Sequence, residues 1–327
     1  MPESPASPAA RLITVDEESA GQRLDNFLMR ELKGVPKTHI YRIIRSGEVR
    51  RNKGRVSADD RVQPGDILRI PPLRVSAQPE VKAAAAVPPR EFRVLHEDDA
   101  FLAIDKPAGV AVHGGSGVSF GVIEQLRQAR PGARMLELVH RLDRDTSGVL
   151  VVARTRGAAQ KLTAAFRERD TKKIYWSLVK GVPRKHEDKI STWLVKEQTP
   201  DGDRMRIARH GEDGADHAVS YYRVVDTAAQ NLAWLEMEPY TGRTHQLRVH
   251  ALHIGHPIIG DPKYFIDDHN WDFPGGVQKR LHLHARYIDL PHPNGGRLKV
   301  TAPLPPHMVQ TWNLLGLDQR DGDRDGE

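Results

Sequence analysis

Cysteine is absent from the 327 residues, which excludes disulfide bonds and thiolate metal sites. The chain also lacks any run approaching the roughly 20 consecutive apolar residues that a membrane-spanning helix needs. Its N-terminus has no basic segment followed by an apolar run, so no signal peptide is predicted. We therefore expect a cytoplasmic protein with no membrane partner.

Acidic residues are outnumbered, with 43 Asp and Glu against 49 Lys and Arg, which gives a formal net charge of +6. Much of the excess lies between Lys33 and Arg61, where only three carboxylates oppose a dense series of Lys and Arg. This pattern favours a polyanionic partner, but charge does not choose between RNA, DNA and a membrane.

Composition divides the chain into five segments. Residues 1–13 are expected to be disordered, and residues 14–74 form a small unit that contains both helix and strand signals. Residues 75–90 have the Ala and Pro content of a linker, and residues 91–316 form a larger domain. Residues 317–327 are acidic and almost without apolar side chains, so we expect a disordered tail.

Strand signals dominate the larger domain and do not alternate regularly with helices. This order predicts an α+β fold, with a small N-terminal α/β module and a larger, mainly antiparallel sheet. The expected strands are 101–104, 148–153, 173–181, 218–225, 232–240, 282–290 and 298–302, with a helix at 157–168.

Two short helices are predicted in the small unit, the second over residues 38–46 with Ile40, Ile43 and Ile44 on one face. With the hairpin that follows, they would present a basic surface able to neutralise successive phosphates, formed by Lys37, Arg42, Arg45 and Arg50. A solvated basic face without a ligand is the alternative at this point.

The stretch His140–Gly148 is a polar loop that runs into an apolar strand and carries Asp143. Flanking arginines and hydroxyls would orient this carboxylate at a cleft edge, where it could act as a nucleophile or a base. An ordinary charged turn is one alternative. An aspartyl-phosphate phosphatase is another, although such enzymes need an apolar strand directly before the first Asp.

A second polar stretch, Tyr240–His250, predicts a turn at Gly242 and then a helix, with Arg243 at its start. Three histidines at intervals of three, at positions 250, 253 and 256, lack the further ligands of a metal site. We therefore expect no metal. In the strand 173–181, Tyr175 shares a face with Ser177 and Val179.

These motifs resemble a known family. The stretches 21–28 and 40–49 resemble the alpha-L RNA-binding module, which is named after a small-subunit ribosomal protein. Asp105–Gly109, His140–Gly148, Lys173-x-Tyr175 and Gly242–His250, in this order, resemble the Rlu branch of the pseudouridine synthases, which modify ribosomal RNA.

The resemblance implies an isomerase that converts uridine to pseudouridine in large-subunit (23S) rRNA or an assembling ribosomal particle. It implies no cofactor and no metal, and nothing in the sequence demands more than a monomer. Asp143 would be catalytic with Arg243 as its salt-bridge partner, and Tyr175 would be the active-site aromatic. Further substrate contacts are assigned to Lys106, His113, Arg141, Thr146, His245 and Arg248. A non-enzymatic RNA-binding protein would explain the basic module but gives no role to Asp143, Tyr175 and Arg243.

Overall fold

The computed structural model describes residues 10–32, 35–73, 87–114, 120–199, 202–229, 231–265 and 273–323. The chain forms two compact units, Met1–Ala84 and Ala85–Glu327. Most of the expected linker, residues 75–90, lies outside the described residues. No helix among those that the structure describes is long and apolar enough to cross a membrane.

The first unit combines a three-stranded sheet with two helices. Its elements are β1 (Arg11–Thr14), a 3-10 helix (Glu17–Ser19), α1 (Leu24–Glu31), α2 (Lys37–Arg45), β2 (Arg50–Arg51) and β3 (Ile67–Ile70). The strand order is β1-β3-β2, and both pairings are antiparallel.

Helical spacing of apolar residues determines which face of each helix is buried in this unit. Leu24, Phe27 and Leu28 of α1 pack against Ile40, Ile43 and Ile44 of α2, as the sequence predicts. Pro36 precedes α2, and Gly47 follows it with a φ of 72°, a left-handed conformation that glycine adopts readily. The opposite face of α2 is left to polar and basic side chains.

The second unit is built on one large sheet. Its strands are β4 (Arg93–Glu97), β5 (Phe101–Lys106), β6 (Glu137–Leu138), β7 (Ser147–Ala153), β8 (Lys172–Lys180), β9 (Glu187–Thr199), β10 (Gly202–Ile207), β11 (Asp216–Ala228), β12 (Leu232–Pro239), β13 (Leu283–Pro291) and β14 (Arg297–Thr301). Its helices are α3 (Val122–Ala129), α4 (Arg156–Glu168), α5 (Gln246–His253), α6 (Pro306–Leu315) and α7 (Arg320–Asp323).

Within the described residues the strand order is β10-β9-β11-β12-β8-β13-β7-β5-β4, with β14 added to β13 and β6 added to β7. The β13–β7 pairing is parallel, and the other described pairings are antiparallel. The α+β fold class is therefore confirmed. β9 and β10 were not predicted, because their sequences are rich in charged residues that face solvent on this edge of the sheet.

Alternation along the strands lets helices cover both faces of the sheet. Along β7, Val149 and Val151 face the cluster that contains α4, whereas Leu150 and Val152 face α3. Along β8, the Trp176 side packs with α6 and the Tyr175 side with α5. The second alternation turns Tyr175 away from the Trp176 core, toward the face that carries the cleft described below.

Gly148 is required where β7 meets β13. Its φ is +109°, and a Cβ there would lie 2.2 Å from the carbonyl oxygen of Ala285. Any side chain would separate the two strands just after the Asp143 loop.

Both expected disordered ends need correction. Residues 11–13 belong to β1, where Ile13 packs on the core and the backbone pairs with β3. Leu317 is buried, and α7 brings Gly322 so close to Trp176 and Trp234 that an added Cβ would lie 2.5 Å from each ring. Asp323 forms an ion pair with Arg286 at 2.7 Å. Composition does not predict the packing of Gly322 on the two tryptophan rings, because that packing needs a residue without a side chain and not an apolar one. Residues 1–9 and 324–327 lie outside the described residues.

Candidate active site

A cleft of about 360 Å³ opens in the second unit where the loop before β7 meets the turn before α5. A volume at the lower end of the usual range for small-molecule sites suits a ligand the size of one nucleoside. The loop contributes residues 139–143 and Thr146, β8 contributes Lys173 and Tyr175, and residues 241–248 form the opposite wall. Five cations among the described lining residues face a single carboxylate, that of Asp143: Arg141, Arg167, Lys173, Arg243 and Arg248.

The Asp143 carboxylate is held through one of its two oxygens. Nη1 of Arg248 donates to Oδ2 at 3.1 Å, and Nε2 of His245 lies 3.8 Å from the same oxygen. Among the described residues no group bonds to Oδ1. The side chain is 19% exposed, so it is neither free in solvent nor sealed in the core.

Arg248, rather than Arg243, is the salt-bridge partner of Asp143, which corrects the expectation from the sequence. The Arg248 side chain is only 3% exposed, and it also donates two hydrogen bonds of 2.7 Å to the buried carboxylate of Asp261. These two carboxylates raise the pKa of Arg248 although burial alone would lower it. A buried, doubly paired guanidinium is unavailable to RNA phosphates, so the structure gives Arg248 the role of holding Asp143, and a direct contact with the substrate stays a prediction.

Arg243 still lines the cleft, but it points to another partner. Its Nε donates to the carbonyl oxygen of His217 at 3.2 Å, and Nη1 lies 3.5 Å from the exposed Asp216. The helix begins three residues later than Arg243, at Gln246, because His245 adopts a left-handed conformation with a φ of 53°. This offset leaves Arg243 at the rim and places Arg248 inside the helix.

His245 is a neutral neighbour of the carboxylate. Burial lowers its pKa to about 4, although the negative charge of Asp143 opposes this shift. Its Nδ1 is 2.8 Å from the hydroxyl of Tyr264, which accepts a hydrogen bond of 2.9 Å from the backbone N–H of Met205. Burial raises the pKa of Tyr264 to about 12, so this hydroxyl keeps its proton and can donate it to Nδ1.

Tyr175 lines the cleft from β8, as the alternation of that strand predicts. Burial, and then the charge of Asp143, raise the pKa of its phenol, so the ring stays neutral. On the other side of the loop, His140 stacks on Phe166 with ring centroids 4.3 Å apart, and its Nε2 accepts the N–H of Val151 at 2.9 Å. Burial lowers the pKa of His140 to about 3. His140 therefore fixes the loop against β7 and α4.

The expected substrate contact by Lys106 needs correction, because this residue has a structural role. The side chain is fully buried, and Nζ donates to the carbonyl oxygens of Pro107 at 3.0 Å, Val110 at 2.8 Å and Arg144 at 3.0 Å. The last of these ties β5 to the Asp143 loop. Burial lowers the pKa of Lys106 to about 7.

The remaining expected contacts divide into two groups. Arg141 is exposed and lines the cleft, and Thr146 is buried in its wall, with its N–H donating to the carbonyl oxygen of Asp143 at 3.2 Å. His113 is exposed and is not among the lining residues, so the structure does not bring it to the cleft.

The described residues contain no group of three or more acidic or histidine side chains able to hold a metal ion. His250 is buried and bonds to the hydroxyls of Thr192 and Ser220, each at 2.9 Å. His256 bonds to the carbonyl oxygen of Lys180 at 2.9 Å. Both histidines therefore have packing roles.

Basic residues of the first unit form a surface of their own. Lys37, Arg42 and Arg45 of α2 are exposed on the face opposite its apolar residues, and Arg50 on β2 is half-buried. His39 bonds to Arg42 at 2.9 Å, which steadies this surface without neutralising it.

Sequence reasoning missed Asp261, Tyr264, Phe166 and Arg167. Gly260-Asp261-Pro262 carries a turn signal, but nothing in the sequence pairs it with Arg248. Phe166 and Arg167 fall on the predicted helix 157–168, and only the packing of that helix on β7 brings them to the cleft.

Comparisons with known proteins bear on this cleft. Residues 100–253 match the RNA pseudouridylate synthase family, and residues 22–68 match the S4 domain. Ribosomal large subunit pseudouridine synthase C of Yersinia pestis is 44% identical over 302 residues, 91% of this chain and 93% of that protein. The chain belongs to the RNA pseudouridylate synthase family.

The other relatives agree with this membership. The synthase of the same name from Escherichia coli (strain K12) is 43% identical over 311 residues, 91% of this chain and 94% of that protein. Among solved structures, Human RNA Pseudouridylate Synthase Domain Containing 4 aligns with a TM-score of 0.57 at 30% identity, covering 69% of this chain and 94% of that one. This RNA pseudouridylate synthase is thus an isomerase with an S4 RNA-binding domain, and the phosphatase and non-enzymatic alternatives are excluded.

Proposed function

We propose that this chain isomerises specific uridines to pseudouridine in large-subunit (23S) rRNA, with Asp143 as the catalytic carboxylate. The two bacterial relatives are named as large-subunit pseudouridine synthases, and their similarity extends over nine tenths of the chain. The observation that carries the catalytic role is the position of Asp143, which lines a basic cleft of nucleoside size and whose Oδ2 is bound by Arg248, while no described residue bonds to Oδ1.

The reaction detaches uracil from the ribose at N1, turns the base, and rejoins it through C5. A base within an RNA helix or a stacked loop cannot turn in place, so the nucleotide is extruded into the cleft. Arg141, exposed at the mouth, is suited to fill the space that the base leaves. The other cations of the rim neutralise the phosphates on either side of the extruded nucleotide.

Asp143 acts on the ribose through Oδ1, either by attacking C1′ or by removing the 2′ proton. Both routes need an anionic oxygen held in position and a second oxygen left unbonded. Arg248 meets both needs, because Asp261 fixes the guanidinium from behind and only one nitrogen is presented to Asp143. Tyr175 packs beside the detached uracil. Because its phenol stays neutral, it holds the base by packing and is not the base that removes the C5 proton.

The S4 domain captures the RNA through its basic helix face. Lys37, Arg42 and Arg45 are exposed, and such cations bind phosphates without regard to sequence. Four further expectations stay predictions: a cytoplasmic location, a monomeric state, action on naked rRNA or on an assembling particle, and the absence of a cofactor.

The test replaces Asp143 by Asn, which keeps the shape of the side chain and removes its charge. Unmodified large-subunit rRNA labelled with tritium at C5 of uracil releases tritium when pseudouridine forms. We expect the wild-type chain to release tritium and Asp143→Asn to release none, with an RNA dissociation constant within about threefold of the wild type because the rim cations remain. Turnover by Asp143→Asn at the wild-type rate would remove Asp143 from the mechanism.

A further inference from the structure

Tyr240 is an exposed aromatic residue that lies next to the cleft in the chain. The residue is 46% exposed, and its two chain neighbours, Pro239 and Thr241, line the cleft, although Tyr240 itself does not. The backbone there is fixed, because the N–H of Tyr240 donates to the carbonyl oxygen of Val219 at 3.0 Å. Thr241 accepts the N–H of Val219 at 2.9 Å through its hydroxyl. The ring is therefore presented to solvent on a rigid support.

Arg169 lies over this ring, with its guanidinium carbon 4.7 Å from the ring centroid. It follows α4 in a left-handed conformation, with φ 65° and ψ 26°. Glycine or asparagine usually occupies this position, and a long side chain is disfavoured there. Among the described residues no carboxylate pairs with Arg169. The strained backbone thus carries a side chain that lies on the face of Tyr240, and strain of this kind is typical of functional positions.

We propose that Tyr240, braced by Arg169, is a stacking platform for an unpaired nucleobase of the RNA substrate, adjacent to the nucleotide that enters the cleft. This proposal rests on the proposed function and adds a contact to it. Extruding one nucleotide leaves its neighbours without a stacking partner on one side. An exposed tyrosine restores that stack for any base, since every base has a π-face.

Charge at the border favours nucleic acid as the occupant. Arg141, Arg167 and Lys173 line the adjacent cleft, and Arg169 adds a further cation on the Tyr240 side. A base stacked on Tyr240 would place its phosphates beside these groups. Arg169 covers one face of the ring, so the base takes the other face.

The experiment compares Tyr240→Ala and Tyr240→Phe in the full chain, with unmodified large-subunit rRNA as the probe. One lost base stack weakens RNA binding by roughly five- to 150-fold. We expect Tyr240→Ala to raise KM and the dissociation constant within this range, while the single-turnover rate at saturating RNA stays unchanged. Tyr240→Phe keeps the ring and should bind as the wild type does.

Tyr221→Ala is the matched control, because Tyr221 is also exposed, at 41%, and also has a cation over its ring, that of Lys189 at 6.0 Å. It lies on β11, and its chain neighbours Ser220 and Tyr222 do not line the cleft, in contrast to the neighbours of Tyr240. Its removal should leave KM unchanged. An equal rise in KM for Tyr221→Ala and Tyr240→Ala would overturn the platform, as would wild-type binding by Tyr240→Ala.

Arg169→Gly separates stacking support from folding. Glycine relieves the left-handed backbone, so the melting temperature should stay the same or rise while RNA binding weakens. Unchanged binding would overturn the role of Arg169.

The slope of log Kd against log salt should be the same for Tyr240→Ala as for the wild type, since no phosphate contact is lost. If the wild-type chain makes no pseudouridine, the proposed function is refuted. The RNA dissociation constants of the wild type and Tyr240→Ala still test the stacking platform in that case.

Discussion

Replacing Arg248 by Lys tests the central electrostatic arrangement of the cleft. The guanidinium donates two hydrogen bonds of 2.7 Å to Asp261 and one of 3.1 Å to Asp143, all from a side chain that is nearly fully buried. Lysine keeps the positive charge, so neither carboxylate is left opposite an empty site. However, a single ammonium cannot reproduce the planar fork that joins two carboxylates at once.

The expected cost follows from the bonds that are lost. Lysine can keep one strong contact, and two charge-assisted hydrogen bonds at about 1.5 kcal/mol each then disappear. The free energy of unfolding of the second unit should fall by about 3 kcal/mol, which lowers its melting temperature by roughly 6–12 °C for a unit of this size. Asp143 loses its fixed orientation, so the single-turnover rate should fall by about 100-fold.

Urea denaturation and single-turnover tritium release measure the two effects separately. Arg243→Lys is the matched control, because it makes the same substitution in the same cleft. Arg243 is 39% exposed and its partner Asp216 is 62% exposed, so this ion pair contributes at most about 0.5 kcal/mol. A larger loss of stability for Arg243→Lys than for Arg248→Lys would refute the assignment of Arg248 as the guanidinium that holds Asp143.

Other parts of the structure give further predictions. Gly322→Ala should lower the free energy of unfolding by about 1–3 kcal/mol in urea denaturation, because its Cβ would lie 2.5 Å from the rings of Trp176 and Trp234; a stability equal to that of the wild type would mean that α7 does not pack there in solution. Replacing Lys37, Arg42 and Arg45 by Gln should reduce the slope of log Kd against log salt for rRNA by up to about 3 while leaving the single-turnover rate at saturating RNA unchanged; an unchanged slope would exclude this face as a phosphate contact. Burial lowers the pKa values of five histidines in the second unit to about 3 or 4, so the unfolded state takes up their protons first as the pH falls. Their contribution to stability is complete above the unfolded pKa of about 6.5 and is lost between there and the folded pKa values of about 4 or 3, by up to about 1.4 kcal/mol per histidine per pH unit; urea denaturation at pH 7, 6 and 5 should show this fall, and a flat profile would contradict their burial as neutral groups.

The parts of the site that the sequence predicts are those carried by local patterns. A polar loop that enters an apolar strand put Asp143 at the edge of a cleft, and β7 begins at Ser147 within that pattern. Alternation in β8 put Tyr175 on one face, where it lines the cleft. The helical spacing of apolar residues predicted which face of α2 is buried, and therefore which face carries the exposed basic side chains. Each of these features depends on residues close together in the chain.

The missed features depend on residues far apart. Arg243 and Arg248 occupy one motif, and the left-handed conformation of His245 decides which of them enters the helix and reaches Asp143. A buried lysine such as Lys106 is read from sequence as a surface cation. Two of its carbonyl acceptors, Pro107 and Val110, are in the loop that follows it, but the third, Arg144, is distant in the chain. The packing of α7 is invisible for the same reason, since Gly322 fits only because Trp176 and Trp234 leave no room for a side chain.

The neutral state of His245 explains why one oxygen of Asp143 stays available. Tyr264 accepts the N–H of Met205, so its own proton is directed to Nδ1 of His245, and the histidine proton then lies on Nε2, facing Oδ2. A charged imidazolium there would add a second full positive charge beside Arg248 and would draw Asp143 into a closer ion pair. With burial holding the pKa of His245 at about 4, Arg248 is the single full charge that binds the carboxylate, and it binds through Oδ2. Oδ1 stays without a bonding partner among the described residues, and it is the oxygen that we propose for the reaction at the ribose.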